Sequence, residues 1–188
     1  MNDLVDALPN GVYVAKPNIK VLLYADDIVV LADSPSEFQE IIVSLYDYCS
    51  TWSLNVNLDK SKVLVFRSSN RINSNLKFNY GSREIEIVNS YKYLGVEITF
   101  NLSYLKHLKA KLSASKLAIN ATWSKYINHP NISKENKLKI FHAASRSIVF
   151  YGAQIWGYTK YEVVEKLFRF FIKKMLFFTK NNTKLYAT

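Results

Sequence analysis

Apolar and polar positions along this chain change rhythm near residue 101. Upstream they come in short runs and alternations; downstream they recur every three or four residues. The densest upstream block has two apolar, β-branched runs, residues 21–24 and 28–32, flanking Tyr24-Ala25-Asp26-Asp27. It predicts a tight hairpin with buried strands and an acidic turn. Residues 1–9 read as the last turns of a helix, stopped by Pro9-Asn10-Gly11. Strands are expected at 12–14 and 21–24, with Lys16-Pro17-Asn18 as the turn between them. Ser34-Pro35-Ser36-Glu37 is a helix start: Ser34 caps, Pro35 suits the first turn, and Glu37 completes a capping box. Phe38, Ile41, Ile42, Leu45, Cys49 and Trp52 then share one face, predicting a helix from about 36 to 52 whose stripe is core. Tyr46 and Tyr48 should border it. Residues 63–67 predict a strand, 68–75 a polar loop, and 76–80 with 84–88 a hairpin about Gly81-Ser82. Residues 91–99 predict one more strand, in which Gly95 marks a bulge or close backbone approach.

Beyond Asn101 a long helix is sketched by Leu102, Leu105, Leu108 or Lys109, Leu112, Leu117 and residues 119–123. Pro130 breaks it and Ser133 starts another, whose apolar face is Leu138, Phe141, His142, Ser145, Ile148 and Val149. A third helix should run from about Tyr161 into Phe178, ending in the basic, aromatic stretch 168–178. Its apolar side is expected to pack on something outside the chain, with a membrane-surface helix as the alternative. The fold class is therefore α+β: an antiparallel sheet with a crossing helix over residues 1–100, then an all-helical lobe over 101–188.

Length allows one domain or two small lobes with a proper core, and the 49% hydrophobic content argues for a folded chain. Charge sharpens the division. Residues 1–100 hold nine Lys and Arg against twelve Asp and Glu, a balance of −3. Residues 101–188 hold sixteen against three, a balance of +13. That asymmetry points to an acidic or metal-binding lobe joined to one that meets a polyanion, nucleic acid above all. The single Cys49 excludes an internal disulfide, and His107, His129 and His142 have no zinc-ligand spacing. With no signal segment and no uncharged window of spanning length, an intracellular protein, nuclear or cytoplasmic, is expected.

Asp26 and Asp27 carry the candidate chemistry. Adjacent acids at a turn are ordinarily just solvated. Two carboxylates there can also hold a hard, oxygen-loving cation such as Mg²⁺, and such ions serve phosphoryl chemistry. The surrounding residues favour the second reading. Tyr24-Ala25-Asp26-Asp27 between apolar strands resembles the active-site hairpin of reverse transcriptases, in the form found in non-LTR (LINE-type) retrotransposons. Residues 54–66, with Asn57, Lys60 and Lys62 ahead of a strand, resemble the next block of that family. Tyr91-Lys92-Tyr93-Leu94-Gly95-Val96 resembles its primer grip, and residues 150–157 resemble a segment of the thumb and its extension. Four blocks in order span nearly the whole chain.

The resemblance implies a partial polymerase palm with the primer-grip strand, then a basic helical thumb. It implies that Asp26 and Asp27 bind Mg²⁺ or Mn²⁺, and that Tyr24 lies near the nascent strand or incoming nucleotide. Lys60 would neutralise charge on the triphosphate, unless Lys62 takes that place or Lys60 is only a surface lysine. Asn57 would order the turn. Tyr93, Leu94 and Gly95 would present the primer end. The partners implied are an RNA template, a DNA primer and deoxynucleoside triphosphates, with no membrane.

One departure stands out: the family has another metal-binding Asp on a strand well upstream, and only 25 residues precede Asp26 here. Asp3 and Asp6 fall in the expected helix remnant. The chain alone is thus expected to be the inactive palm-and-thumb fragment of an RNA-directed DNA polymerase, its first lobe showing unusually exposed apolar residues. The alternatives are a noncatalytic nucleic-acid binder and an inert remnant.

Overall fold

The computed structural model describes residues 3–9, 11–129 and 131–176. The chain divides into two compact units, Met1–Tyr91 and Lys92–Thr188.

The first unit is built around one amphipathic helix. It opens with α1 (Leu4–Ala7), β1 (Val12–Tyr13) and β2 (Asn18–Ile19), followed by β3 (Val21–Tyr24), β4 (Asp27–Val30) and α2 (Pro35–Thr51). The Ser34 hydroxyl accepts the Glu37 amide at 3.3 Å and Pro35 occupies the first turn, so α2 starts where its capping residues dictate. β5 (Val63–Leu64), β6 (Asn79–Tyr80), β7 (Arg83–Glu84) and β8 (Ile87–Val88) complete the unit.

Helix α2 is apolar on two flanks. Ile41, Tyr48 and Cys49 pack with Leu4 and Leu8, and Val21, Ile28 and Val30 of the β3–β4 hairpin lean on that cluster. Ile42 packs on the other side with Val63, Phe78 and Ile85, supported by Phe38. The Gln39 amide exchanges two 2.9 Å hydrogen bonds with the backbone of Asn79, satisfying the edge of β6. Trp52, expected in the stripe, is 59% exposed because it sits just past the last helical turn, as the C-cap. Tyr48, expected at the border, is buried, and its hydroxyl donates to Asp3 at 2.8 Å.

The strands depart from expectation in three ways. Among the described residues they form five separate two-stranded ladders rather than one antiparallel sheet. Each runs two to four residues, and four join strands adjacent in sequence through a short link. β1 pairs with β2 rather than with 21–24, so Lys16 and Pro17 lie in the turn of a smaller hairpin and Asn18 is already in the strand, paired with Tyr13. Around Gly81 the hairpin is only β6–β7, while Ile87–Val88 turns away to run parallel to Val63–Leu64.

Residues 91–99, which the sequence reads as one strand, fold back as a hairpin. β9 (Ser90–Tyr93) and β10 (Val96–Thr99) are hydrogen-bonded neighbours, and only Leu94 and Gly95 separate them. Both turn residues are left-handed, with φ of 43° and 80°. That is the geometry a two-residue hairpin prefers, and glycine at one of the two positions makes it accessible.

The second unit is helical: α3 (Leu105–Thr122), α4 (Lys134–Phe141), α5 (Ser147–Val149), α6 (Ala153–Trp156) and α7 (Glu162–Met175). Wider π-helical turns at Trp123–Ile127 and His142–Arg146 follow α3 and α4 without a break. Ser133 caps α4 by accepting the Asn136 amide at 3.3 Å. Ile119, Ile127, Phe141, Val149, Leu167 and Phe171 form the main core, in which Phe141 and Phe171 stack at 4.2 Å. Val164, Phe170, Ile172 and Met175 also pack there, so the apolar side of α7 is covered within the chain, contrary to expectation. The long helices that precede it supply the apolar face. The expected end of this helix at Phe178 lies outside the described residues. A second cluster, Val96, Tyr104, Leu108 and Trp156, ties α3 and α6 to β10.

Candidate active site

The acidic hairpin forms as its sequence dictates. β3 and β4 pair Val21 with Val30, Leu22 with Val29, Leu23 with Ile28 and Tyr24 with Asp27, leaving Ala25 and Asp26 as the turn. Ala25 sits at φ 53°, left-handed for a residue with a Cβ, at a cost on the order of 1–2 kcal/mol. Strand alternation gives the ladder two faces. One carries Val21, Ile28 and Val30 into the core. The other carries Leu22 and Tyr24, 44% and 62% exposed, together with Val29 and Asp27. The strands are therefore not buried on both sides as expected, because α2 covers only one face.

Asp26 and Asp27 are both exposed, and neither carboxylate has a hydrogen-bond or ion-pair partner among the described residues. Two unengaged carboxylates suit a hard cation in donor chemistry but supply few of the oxygens it needs. Among the described residues, no three His, Cys, Asp or Glu side chains come together as a metal-binding group. Asp3 is occupied by the Tyr48 hydroxyl, which holds its carboxyl below the usual range.

Lys60 lies on a separate turn, and Asn57 builds it. The Asn57 side-chain oxygen accepts the amides of Asp59 and Lys60 at 3.2 Å, and its carbonyl accepts the Ser61 amide at 2.9 Å. Tyr91 donates its hydroxyl to the Lys60 carbonyl at 3.1 Å. The competing Lys62 is committed to Glu86 at 2.7 Å. The Lys60 ammonium is exposed and has no such partner among the described residues. The hairpin turn and the Asn57–Lys60 turn belong to the first unit. Tyr93, Leu94 and Gly95 belong to the second, at the β9–β10 turn.

That second turn has a partner that sequence pattern does not single out. Tyr151 donates its hydroxyl to the Leu94 carbonyl at 2.7 Å, and its ring lies 2.9 Å from where a Gly95 side chain would begin. Lys111 stands over the same ring at 4.4 Å. Gly152, at φ 73°, lets the chain pass within 2.9 Å of the Val96 side chain, measured from where its own Cβ would be. Nearby, His107 is buried and accepts the Glu97 amide at 3.2 Å. Burial first, and then Lys111, hold this imidazole below its usual range.

A family model for reverse transcriptase (RNA-dependent DNA polymerase) matches residues 1–98, which include the acidic hairpin and the β9–β10 turn. The chain belongs to the reverse transcriptase family. Over 147 residues it is 27% identical to an uncharacterized transposon-derived protein of Caenorhabditis elegans, covering 76% of this chain and 50% of that protein. It is 25% and 26% identical to the RNA-directed DNA polymerases of the mobile element jockey from Drosophila funebris and Drosophila melanogaster, again over about three-quarters of this chain but 16% of each polymerase. The kinship with retrotransposon enzymes expected from the four sequence blocks is thus shown. The chain spans half or less of the curated relatives it matches. No solved structure matches it. No helix among the described residues is long and apolar enough to cross a membrane.

Proposed function

We propose that this chain is the part of a non-LTR (LINE-type) RNA-directed DNA polymerase that carries one side of the catalytic metal site and the surface for the primer. In this reading residues 1–100 are the C-terminal part of the palm and residues 101–188 a basic, thumb-like region. The observation that carries it is the β3–β4 hairpin, which ends in two exposed carboxylates, Asp26 and Asp27, without partners among the described residues. Those two side chains would hold Mg²⁺ or Mn²⁺. When bound, such an ion activates the attacking oxygen and stabilises charge on the leaving one.

The remaining roles fall to positioning. Tyr24 shares a ladder face with Asp27, so it would meet the nascent strand or the nucleotide beside the acids. Lys60 would neutralise the triphosphate of a bound deoxynucleotide, a role that its exposed ammonium suits better than the paired Lys62. Tyr93, Leu94 and Gly95 would present the primer end. The balance of +13 over residues 101–188 would hold template and primer phosphates without sequence preference.

Two carboxylates are too few for two-metal chemistry, so residues 1–188 alone should bind nucleic acid but not extend a primer. Primer–template binding should weaken steeply with salt, and incubation with an RNA template, DNA primer, triphosphates and Mg²⁺ should give no extension. Absence of binding at low salt would contradict the proposal. Extension that Asp26→Asn abolishes would show that a further carboxylate in the chain completes the site. A noncatalytic nucleic-acid binder is the second reading, favoured by the same basic balance. It predicts that primer extension by a longer polymerase carrying this segment is indifferent to Asp26→Asn.

A further inference from the structure

The ladder of β9 and β10 has no third strand among the described residues, so the outer edge of β10 leaves main-chain groups for other elements to meet. A buried histidine meets one of them. The Glu97 amide, just beyond the Leu94–Gly95 turn, donates to His107 Nδ1 at 3.2 Å. His107 lies in the first turn of α3 and is 2% exposed, whereas His129 and His142 are exposed. An Nδ1 that accepts a main-chain N–H carries no proton, so the ring is neutral with its hydrogen on Nε2. That Nε2 is buried and has no hydrogen-bond partner among the described residues. The ring therefore holds β10 through one nitrogen, and in one protonation state only.

The surroundings favour that state. Positive charge is unwelcome in the first turn of a helix. Burial is the largest opposition to a charged ring, followed by Lys111 one turn along α3; Lys92 of β9 adds the least. The Tyr151 main chain and the Glu97 carboxylate act the other way, but Glu97 is already engaged with Lys106 at 2.5 Å. A proton added at Nδ1 would face the Glu97 N–H, so this hydrogen bond does not survive protonation. Ahead of Gly95, the Tyr151 hydroxyl holds the Leu94 carbonyl at 2.7 Å, and the turn is thus supported from both of its ends. We propose that His107 is a positioning residue for the Leu94–Gly95 turn, a latch that keeps β10 on α3 while its imidazole is neutral and releases it on taking a proton. Its bearing on the reaction rests on the reading above that this turn presents the primer end, and it adds that the presentation is lost in acid.

The test follows main-chain amides of the full chain by NMR at pH 7.5 and 5.0, with hydrogen-exchange rates corrected for the intrinsic effect of pH. In the wild type, protection of the Glu97 amide should fall about tenfold at pH 5.0, the scale of one lost hydrogen bond. The amide shifts of Leu94, Gly95 and Glu97 should move with the titration of the His107 ring and not with those of His129 and His142. His107→Gln, whose side-chain oxygen accepts the same amide at any pH, should keep the protection at both pH values. His107→Leu, which fills the space without accepting, should lower it equally at both. Wild-type protection that is the same at both pH values would overturn the latch, as would a loss in acid that His107→Gln shares. Full protection in His107→Leu at pH 7.5 would also overturn it, by showing that burial alone suffices. A DNA primer annealed to an RNA template, added at low salt, should shift the Leu94 and Gly95 amides at pH 7.5 in the wild type and at both pH values in His107→Gln. A duplex that shifts neither amide in any form would overturn the primer reading and leave the latch to be judged on protection.

Discussion

In the second unit, Ile119, Phe141, Val149, Leu167 and Phe171 close over one another, and the strongly amphipathic α7 finds its apolar partner inside the chain. In the first unit α2 covers only one face of the acidic hairpin, and Leu22, Tyr24, Tyr13 and Val14 remain open to solvent. The charge contrast runs alongside, with acids at the hairpin turn and lysines along the helices. Both units expose large apolar residues, Leu117 and Tyr158 in the second among them, but in the first Leu22 and Tyr24 line one face of the acidic hairpin itself. Each unit has buried clusters of its own, and the difference lies in what is left open beside the acids.

That contrast can be broken or sharpened by mutation. The largest effect is expected at Phe171, fully buried and stacked on Phe141: Phe171→Ala should cost about 3–5 kcal/mol in denaturant unfolding. Leu22→Ser, on the open face, should cost within about 0.5 kcal/mol and reduce binding of a hydrophobic dye. Equal costs at the two positions would dissolve the comparison. Gly95→Ala should fall between them, at about 1–3 kcal/mol, because a Cβ there meets Tyr151 and strains a left-handed backbone.

The smallest effect is in pH. His107 is held below its unfolded value of 6.5, so the unfolded chain binds more protons and stability falls as pH drops below that value. Asp3, held below 3.8 by Tyr48, contributes stability that is lost only in more acid solution, as pH falls through its folded value. Thermal midpoints should thus begin to decline below about pH 6.5. His107→Gln should flatten that first decline and Tyr48→Phe the later one. A first decline that His107→Gln leaves unchanged would remove His107 as its cause.

Local signals were legible in the sequence and long-range ones were not. The Ser34 cap, the apolar stripe of α2 and the paired runs around Asp26 act over a few residues, and each forms where expected. Asn57 orders its turn through hydrogen bonds within four residues. By contrast, the parallel pairing of Val63–Leu64 with Ile87–Val88 joins segments 24 residues apart, and no periodicity announces it. The Leu94–Gly95 turn was hidden because leucine is an improbable left-handed residue. Tyr151, 57 residues away, supplies the hydrogen bond that supports it. The buried polar residues His107 and Ser115 likewise have partners, Glu97 and Ser145, that only the folded chain brings near. Gly95, against the Tyr151 ring, and Gly152, against Val96, permit the close approaches and were the available clue.

The central claim is that the Asp26–Asp27 hairpin is catalytic, and a chimera tests it most directly. Residues 1–188 would replace the matching segment of a jockey polymerase, and extension of a DNA primer on an RNA template would be measured with Mg²⁺. The account predicts extension by the chimera and its loss to background with Asp26→Asn, while primer–template affinity stays unchanged. Extension that survives Asp26→Asn would contradict it.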